Sequence, residues 1–172
     1  MKLKFKIAFG IAAILAVASW FIAIYYWDKL PAAIPIHFGI SGAADGWANK
    51  SIFQVFLLPS IQTMILGLLV FVYYKPQYSN IPSTMWLEVL DRKNKEHAYN
   101  LIRTLNVGVL LLVSALFTYI VYNMNQSAVD KSQSLSTPVI LIIVGLMLFW
   151  IFYWAIRVYR DIKQAVAPQV KR

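Results

Sequence analysis

The chain has 172 residues, 60% of them hydrophobic and 13% charged, with a formal net charge of +9 at pH 7. Soluble domains run nearer half apolar and a quarter charged, so this balance excludes an ordinary water-soluble globule and points to an integral membrane protein. No cysteine is present, which excludes disulfides, thiolate metal sites and thiol chemistry.

The first apolar run, Ile7–Trp27, follows Lys2, Lys4 and Lys6. Its start resembles a signal peptide, with Ala16-Val17-Ala18 in the place of a cleavage site. The run continues to Trp27 without a polar break, however, and is long enough to span a bilayer as an uncleaved helix. Ala8, Ala12, Ala16, Ser19 and Ala23 fall at spacings of four and three, a small-residue stripe that lets another backbone approach closely in lipid. Packing within a helix bundle is the simpler use of the stripe, and self-association into a homo-oligomer is the alternative.

Residues 28–51 follow as a connector unlike an ordinary loop. Leu30–Lys50 contains Pro31 and Pro35, three glycines, His37, an Asp45-Gly46 pair and Trp47. Ile34, Ile36, Phe38 and Ile40 alternate with Pro35, His37 and Gly39, which predicts an extended strand with one apolar face. His37 and the prolines then face the other way. Gly42 and Asp45-Gly46 predict tight turns that fold Trp47 back beside the strand, and Asn49 or Ser51 is placed to cap the next helix.

Three further uncharged segments follow, 52–74, 104–122 and 138–156. Each is close to the roughly 20 residues that cross a hydrocarbon core about 30 Å thick. The expected fold is an all-α integral membrane protein with four transmembrane helices in one domain. Thirteen of the sixteen Lys and Arg residues lie in the N-terminal tail, in the 75–103 loop (Lys75, Arg92, Lys93, Lys95, Arg103) and in the C-terminal tail. The positive-inside rule makes that side cytoplasmic, with both termini inside and the 28–51 loop outside. The charge is thus explained by topology and attraction to membrane lipids, and nucleic-acid binding is not needed to account for it. Tyr25, Tyr26, Trp27, Tyr73, Tyr74, Tyr119, Tyr122, Trp154 and Tyr159 sit at segment ends, as an interfacial belt requires.

Within the 75–103 loop, Met85–Arg92 predicts a short amphipathic helix with Trp86, Val89 and Leu90 dipping into the headgroups. From Lys95 the pattern can run unbroken into the third membrane helix. Asp91, Glu96 and His97 read as a solvated face, and Asn123–Thr137 as a flexible loop. Inside the apolar runs the polar residues are few. Gln62 and Asn106 are placed to share one interhelical hydrogen bond. No ionisable residue lies in a segment centre, which argues against an ion-coupled transporter.

The combination Leu30-Pro31-x-x-Ile34-Pro35-x-His37-Phe38 with Gly42-x-x-Asp45-Gly46-Trp47-x-x-Lys50 resembles the N-terminal domain of unknown function of SdpI-type bacterial membrane proteins. The resemblance covers about Ile14 to Leu66; elsewhere the chain is similar only in being membrane-helical. It implies a multi-pass protein of the bacterial plasma membrane. In that family an immunity protein protects a producing cell from its own secreted peptide toxin and holds a repressor at the membrane. The functional expectation is a non-enzymatic protein with no catalytic residue, metal or cofactor, whose outer loop recognises an extracellular peptide or a partner membrane protein. Pro31, Pro35, His37, Phe38, Gly42, Asp45, Gly46, Trp47 and Lys50 are the candidate recognition or structural residues. His37 and Asp45 are read either as a structural pair or as part of a binding site. An accessory subunit of a membrane complex, a metal-dependent membrane enzyme using His37, Asp45 and Lys50, and a transporter remain as alternatives.

Overall fold

Long charge-free runs leave the backbone no partner but itself in hydrocarbon, and the chain meets this demand with four helices. The computed structural model describes residues 3–79, 87–130 and 134–167. In chain order the elements are α1 (Leu3–Trp27), β1 (Ala33–Phe38), β2 (Ala44–Asn49), α2 (Ile52–Tyr74), a 3-10 turn at Pro76–Tyr78, α3 (Arg92–Val129) and α4 (Thr137–Val166). All four α-helices are long and apolar enough to cross a membrane. The all-α expectation needs one amendment: the two strands form an antiparallel hairpin between α1 and α2.

Helix α2 has the bounds expected from the sequence, and its N-cap is Ser51, whose hydroxyl accepts the Gln54 N–H at 3.2 Å. Helices α3 and α4 run well past the apolar segments that announced them. Asp91 starts α3 by accepting the Asn94 N–H at 2.8 Å, and the helix then continues for 38 residues. That is about 57 Å at 1.5 Å per residue, far more than a hydrocarbon core requires. Hydropathy marks where apolar side chains end, whereas a helix ends where its backbone finds other partners. Of the flexible loop expected over Asn123–Thr137, residues 123–129 belong to α3, Thr137 opens α4, and 131–133 lie outside the described residues. Of the amphipathic segment expected at Met85–Arg92, Met85 and Trp86 lie outside the described residues. Leu87 and Leu90 are buried against α3 and α4, while Val89 is exposed. Leu90, expected to dip into the headgroups, is instead covered by protein together with Leu87. Lys2, Pro82, Lys131, Lys171 and Arg172 also lie outside the described residues.

Helices α1, α2 and α3 all pack on one another. The small-residue stripe of α1 is the buried face: Ala8, Ala12, Ala16, Ser19 and Ala23 all lie inside. Mid-bundle, this close approach brings polar groups from three helices together. The Ser19 hydroxyl donates to Gln62 Oε1 at 2.6 Å. The Gln62 amide donates to the Ser114 carbonyl and to Thr118 Oγ1, both at 3.2 Å, and Thr118 donates onward to the Ser114 carbonyl at 2.8 Å. The expected Gln62–Asn106 bond does not form; Asn106 Nδ2 donates to the Leu69 carbonyl at 3.0 Å. The reason is axial offset. The partners of Gln62 on α3 lie 8 and 12 residues beyond Asn106, about 12–18 Å along the helix.

Helix α4 packs mainly against α3. Trp150 keys into α3 at Gly108, where an added Cβ would lie 2.0 Å from the indole, and its Nε1 donates to the Leu105 carbonyl at 3.0 Å. At the end of the bundle that carries most Lys and Arg, Val158 and Ile162 of α4 join Leu87, Leu90, Ala98, Leu101 and Ile102 in an apolar cluster. At the opposite end, Ala23, Leu30, Ile34, Val55 and Ala128 form a second cluster, drawn from three helices and the hairpin.

The polar cluster makes a stability prediction. Gln62→Leu removes three hydrogen bonds, whereas Asn106→Leu removes one. With interhelical bonds in membranes averaging about 0.6 kcal/mol, Gln62→Leu is expected to lower unfolding free energy by about 1–2 kcal/mol. Asn106→Leu is expected to cost less than about 1 kcal/mol. Unfolding in mixed detergent micelles checks the order of the two.

Candidate functional site

Among the described residues the hairpin is the one non-helical element, and it is assembled from residues that restrict the backbone. Its root is anchored by Ile34, buried among Ala23, Leu30, Val55 and Ala128. Ala33, Ile34 and Pro35 pair with Asn49, Ala48 and Trp47. The ladder then steps out of register twice. His37 faces Gly46 and Phe38 faces Ala44, so Ile36 is an extra residue on β1 and Asp45 an extra residue on β2. Paired bulges of this kind re-aim side chains and restore the register beyond them.

The bulges overturn the expected alternation. Ile34 is buried as expected, but Pro35 is buried too, while Ile36 and Ile40 are exposed and Phe38 is half-buried. One inserted residue reverses which face every following side chain occupies. His37 and Asp45 consequently meet: His37 Nδ1 lies 2.5 Å from Asp45 Oδ1, with side-chain exposures of 71% and 52%. The structure thus shows the His37–Asp45 pair, on the surface and open to solvent. Gly46 is what permits it, because a Cβ there would lie 2.8 Å from the Cβ of His37.

Lys50 closes the base of the hairpin. Its ammonium donates to the carbonyls of Trp27 at 2.7 Å and Leu30 at 3.3 Å, and it sits 4.8 Å from the Trp27 ring centroid. The Trp27 carbonyl belongs to the last residue of α1, where helical acceptors lack partners and a cation complements the helix dipole, and Leu30 lies three residues beyond it. Lys50 is therefore occupied in holding the hairpin to α1 and lies apart from the His37–Asp45 pair. Among the described residues no group of three His, Asp or Glu side chains is placed to hold a metal.

The hairpin tip makes a contact that no sequence pattern announced. Gly39 N–H donates to the Ala43 carbonyl and Gly42 N–H to the Gly39 carbonyl, each at 2.9 Å, closing the turn. Gly42 adopts φ +82 and presses on the α3–α4 connection, where a Cβ would lie 1.8 Å from the Leu135 carbonyl oxygen. The Leu135 N–H donates to the Gly42 carbonyl at 2.9 Å, and Thr137 Oγ1 donates to the Ile40 carbonyl at 2.8 Å. Leu135 and Thr137 are thus site residues that sequence reasoning missed. Their only local signal is the Ser136-Thr137-Pro138 start of a helix.

Among the nine candidate residues, Gly42, Gly46 and Lys50 are structural, and Phe38 and Pro35 pack. Pro31 is exposed just before β1. His37, Asp45 and Trp47 present side chains outward from the hairpin, with Ile36 beside them in sequence.

A family model described as a domain of unknown function, DUF1648, matches residues 14–63. The match takes in most of α1, the whole hairpin and the first half of α2. No curated protein matches the chain, and no solved structure does.

Gly42→Ala places a side chain in the left-handed region, at about 1–2 kcal/mol, and against the Leu135 carbonyl. Limited proteolysis within the hairpin is expected to accelerate about five- to thirtyfold relative to the parent chain. Ser41→Ala, one residue away, is expected to leave the rate within about twofold.

Proposed function

We propose that the chain is a non-enzymatic multi-pass protein of the bacterial plasma membrane. In this reading both termini are cytoplasmic, and the hairpin forms an outward-facing recognition surface for an extracellular peptide or a partner membrane protein. One observation carries the reading: the hairpin is fixed at root, base and tip, yet the side chains of His37 and Asp45 stay 71% and 52% exposed and Trp47 is exposed beside them. A rigid scaffold presenting exposed polar and aromatic groups is how loops carry recognition, because little conformational entropy is lost on binding. The resemblance to SdpI-type proteins supports an immunity or receptor-like role. The matched domain of unknown function centres on the same helix–hairpin–helix unit.

An enzyme is the weaker reading. His37 and Asp45 resemble a base with its orienting carboxylate, but among the described residues no Ser or Thr hydroxyl is hydrogen-bonded to His37 as a nucleophile requires. An accessory-subunit reading draws on the other end of the molecule, where α3 and α4 extend together beyond their apolar segments with Arg92, Lys93, Lys95, Arg160 and Lys163.

Because the chain has no cysteine, orientation is open to single-cysteine labelling. Ser41→Cys is expected to react with a membrane-impermeant maleimide in intact cells, and Asn94→Cys only after permeabilisation; the reverse pattern would sink the topology. For function, cells with and without the gene are challenged with the candidate peptide toxin. Loss of the gene is expected to sensitise them, and the His37→Ala, Trp47→Ala double variant to restore no protection despite normal protein levels. Equal sensitivity of all strains, with no binding to the purified protein, removes the immunity role.

A further inference from the structure

Helices α2 and α4 both pack on α3, with little or no contact between them among the described residues. The gap is a groove of about 520 Å3, within the roughly 300–1,000 Å3 typical of ligand sites. Leu69 and Val72 form one wall, Ile151 and Ala155 the other, and Leu105 and Val109 belong to the floor. From Ile102 to Val109 the floor covers about 10 Å of helix, less than half of a hydrocarbon core about 30 Å thick. Gln62 bonds to α3 farther along, at Ser114 and Thr118, so the groove lies in the half of the bundle nearer its basic end.

One polar side chain interrupts this apolar lining. Asn106 lines the groove and is only 7% exposed. Its Nδ2 is committed to the Leu69 carbonyl at 3.0 Å, which leaves Oδ1 as an acceptor with no hydrogen-bond partner among the described residues. Within the hydrocarbon no water satisfies such a group, and a buried acceptor left unpaired is costly. A plain hydrocarbon chain would fill the groove and leave that cost in place. The lining therefore calls for an occupant with a hydrogen-bond donor beside its apolar part.

Charge at the end of the groove narrows the choice. Lys75, the C-cap of α2, is exposed three residues beyond Val72, and Tyr78, which lines the groove, is 65% exposed. Three carboxylates of this end are already engaged: Asp91 caps α3, Glu96 holds Arg103 and Asp161 holds His97. Leu69 is level with Asn106, so Lys75 lies six residues, about 9 Å, nearer the basic end. An apolar channel, an acceptor and a cation thus follow one another outward. We propose that the groove binds an anionic lysophospholipid, a lipid with one acyl chain and a free glycerol hydroxyl. The chain runs along the groove toward the bilayer centre, the hydroxyl donates to Asn106 Oδ1, and the phosphate faces Lys75 and Tyr78. In a diacyl phospholipid the hydroxyl that Asn106 needs is esterified. This site is separate from the hairpin and does not depend on the recognition reading.

The test is native mass spectrometry of the full chain in dodecyl maltoside, titrated with 1-oleoyl lysophosphatidic acid. One lipid per chain is expected to be retained. The same lipid with its glycerol hydroxyl O-methylated is expected to bind about tenfold more weakly, and so is diacyl phosphatidic acid. Asn106→Leu is expected to remove the difference between the free and the methylated lipid. Lys75→Gln is expected to weaken binding about fivefold. Ala155→Phe, which fills the groove, is expected to weaken all three lipids at least about tenfold. If Asn106→Leu disturbs the fold, the methylated lipid on the unaltered chain still decides. Retention of no lipid, equal binding of the free and methylated lipids, or unchanged binding to Ala155→Phe overturns the proposal. Phosphatidic acid binding as tightly as the lysolipid overturns the single-chain assignment, and unchanged binding to Lys75→Gln overturns the placement of the phosphate.

Discussion

Everything that distinguishes this chain from a plain bundle of membrane helices depends on the Lys50 ammonium reaching back to the Trp27 and Leu30 carbonyls. Helix α1 ends with acceptors that have no helical donor, close to where the chain leaves its apolar segment. The Lys50 ammonium, one residue past β2, satisfies one of them at Trp27 together with the Leu30 carbonyl just beyond, complements the helix dipole and draws the end of β2 against the end of α1. Immediately afterward Ser51 caps α2. One side chain thereby joins the exit from one helix to the entry into the next and gives the hairpin a closed base. Ile34 fills the apolar recess beneath it and Gly42 meets the α3–α4 connection above, so the hairpin touches every part of the bundle's end.

The helices serve this arrangement by being held tightly together. The alanine stripe brings α1 close enough for Ser19, Gln62, Ser114 and Thr118 to bond across three helices, so the bundle under the hairpin has one register. Helix α4 is different. It leans on α3 through the Trp150–Gly108 contact, and its start is bound to the hairpin through Leu135 and Thr137. The hairpin is therefore in direct contact with the helix that packs mainly on α3 alone.

Much of this was legible in the sequence for identifiable reasons. The four apolar runs carry no charge, so the helices were readable; α2 was bounded correctly because Ser51 caps it where the run begins. The ends of α3 and α4 were not readable from hydropathy, because Arg92–Arg103 and Arg157–Val166 are polar helix extending beyond any hydrocarbon. In the hairpin, Gly42, Asp45-Gly46 and Trp47 announced a reversal, and the His37–Asp45 pair followed from it. The exposure of Ile36 did not, since alternation assumes an unbroken ladder and a bulge breaks it at that residue; Pro35, in the regular part of the ladder, is buried beside Ile34 without any signal from alternation. The Gln62–Asn106 pairing failed on axial offset, and the Gly42–Leu135 contact spans 93 residues of chain with no local signature.

The central claim is that the hairpin is a folded, fixed surface and not a mobile connector. Amide hydrogen exchange of the chain in nanodiscs tests it at three bonds that only the folded hairpin makes: Gly39 N–H to Ala43, Lys50 N–H to Ala32 and Leu135 N–H to Gly42. All three amides are expected to exchange at least a hundredfold slower than an open chain, about 2.7 kcal/mol of protection, and Lys50→Met to release the first two together. Exchange of these amides at open-chain rates in the unaltered protein would contradict the account.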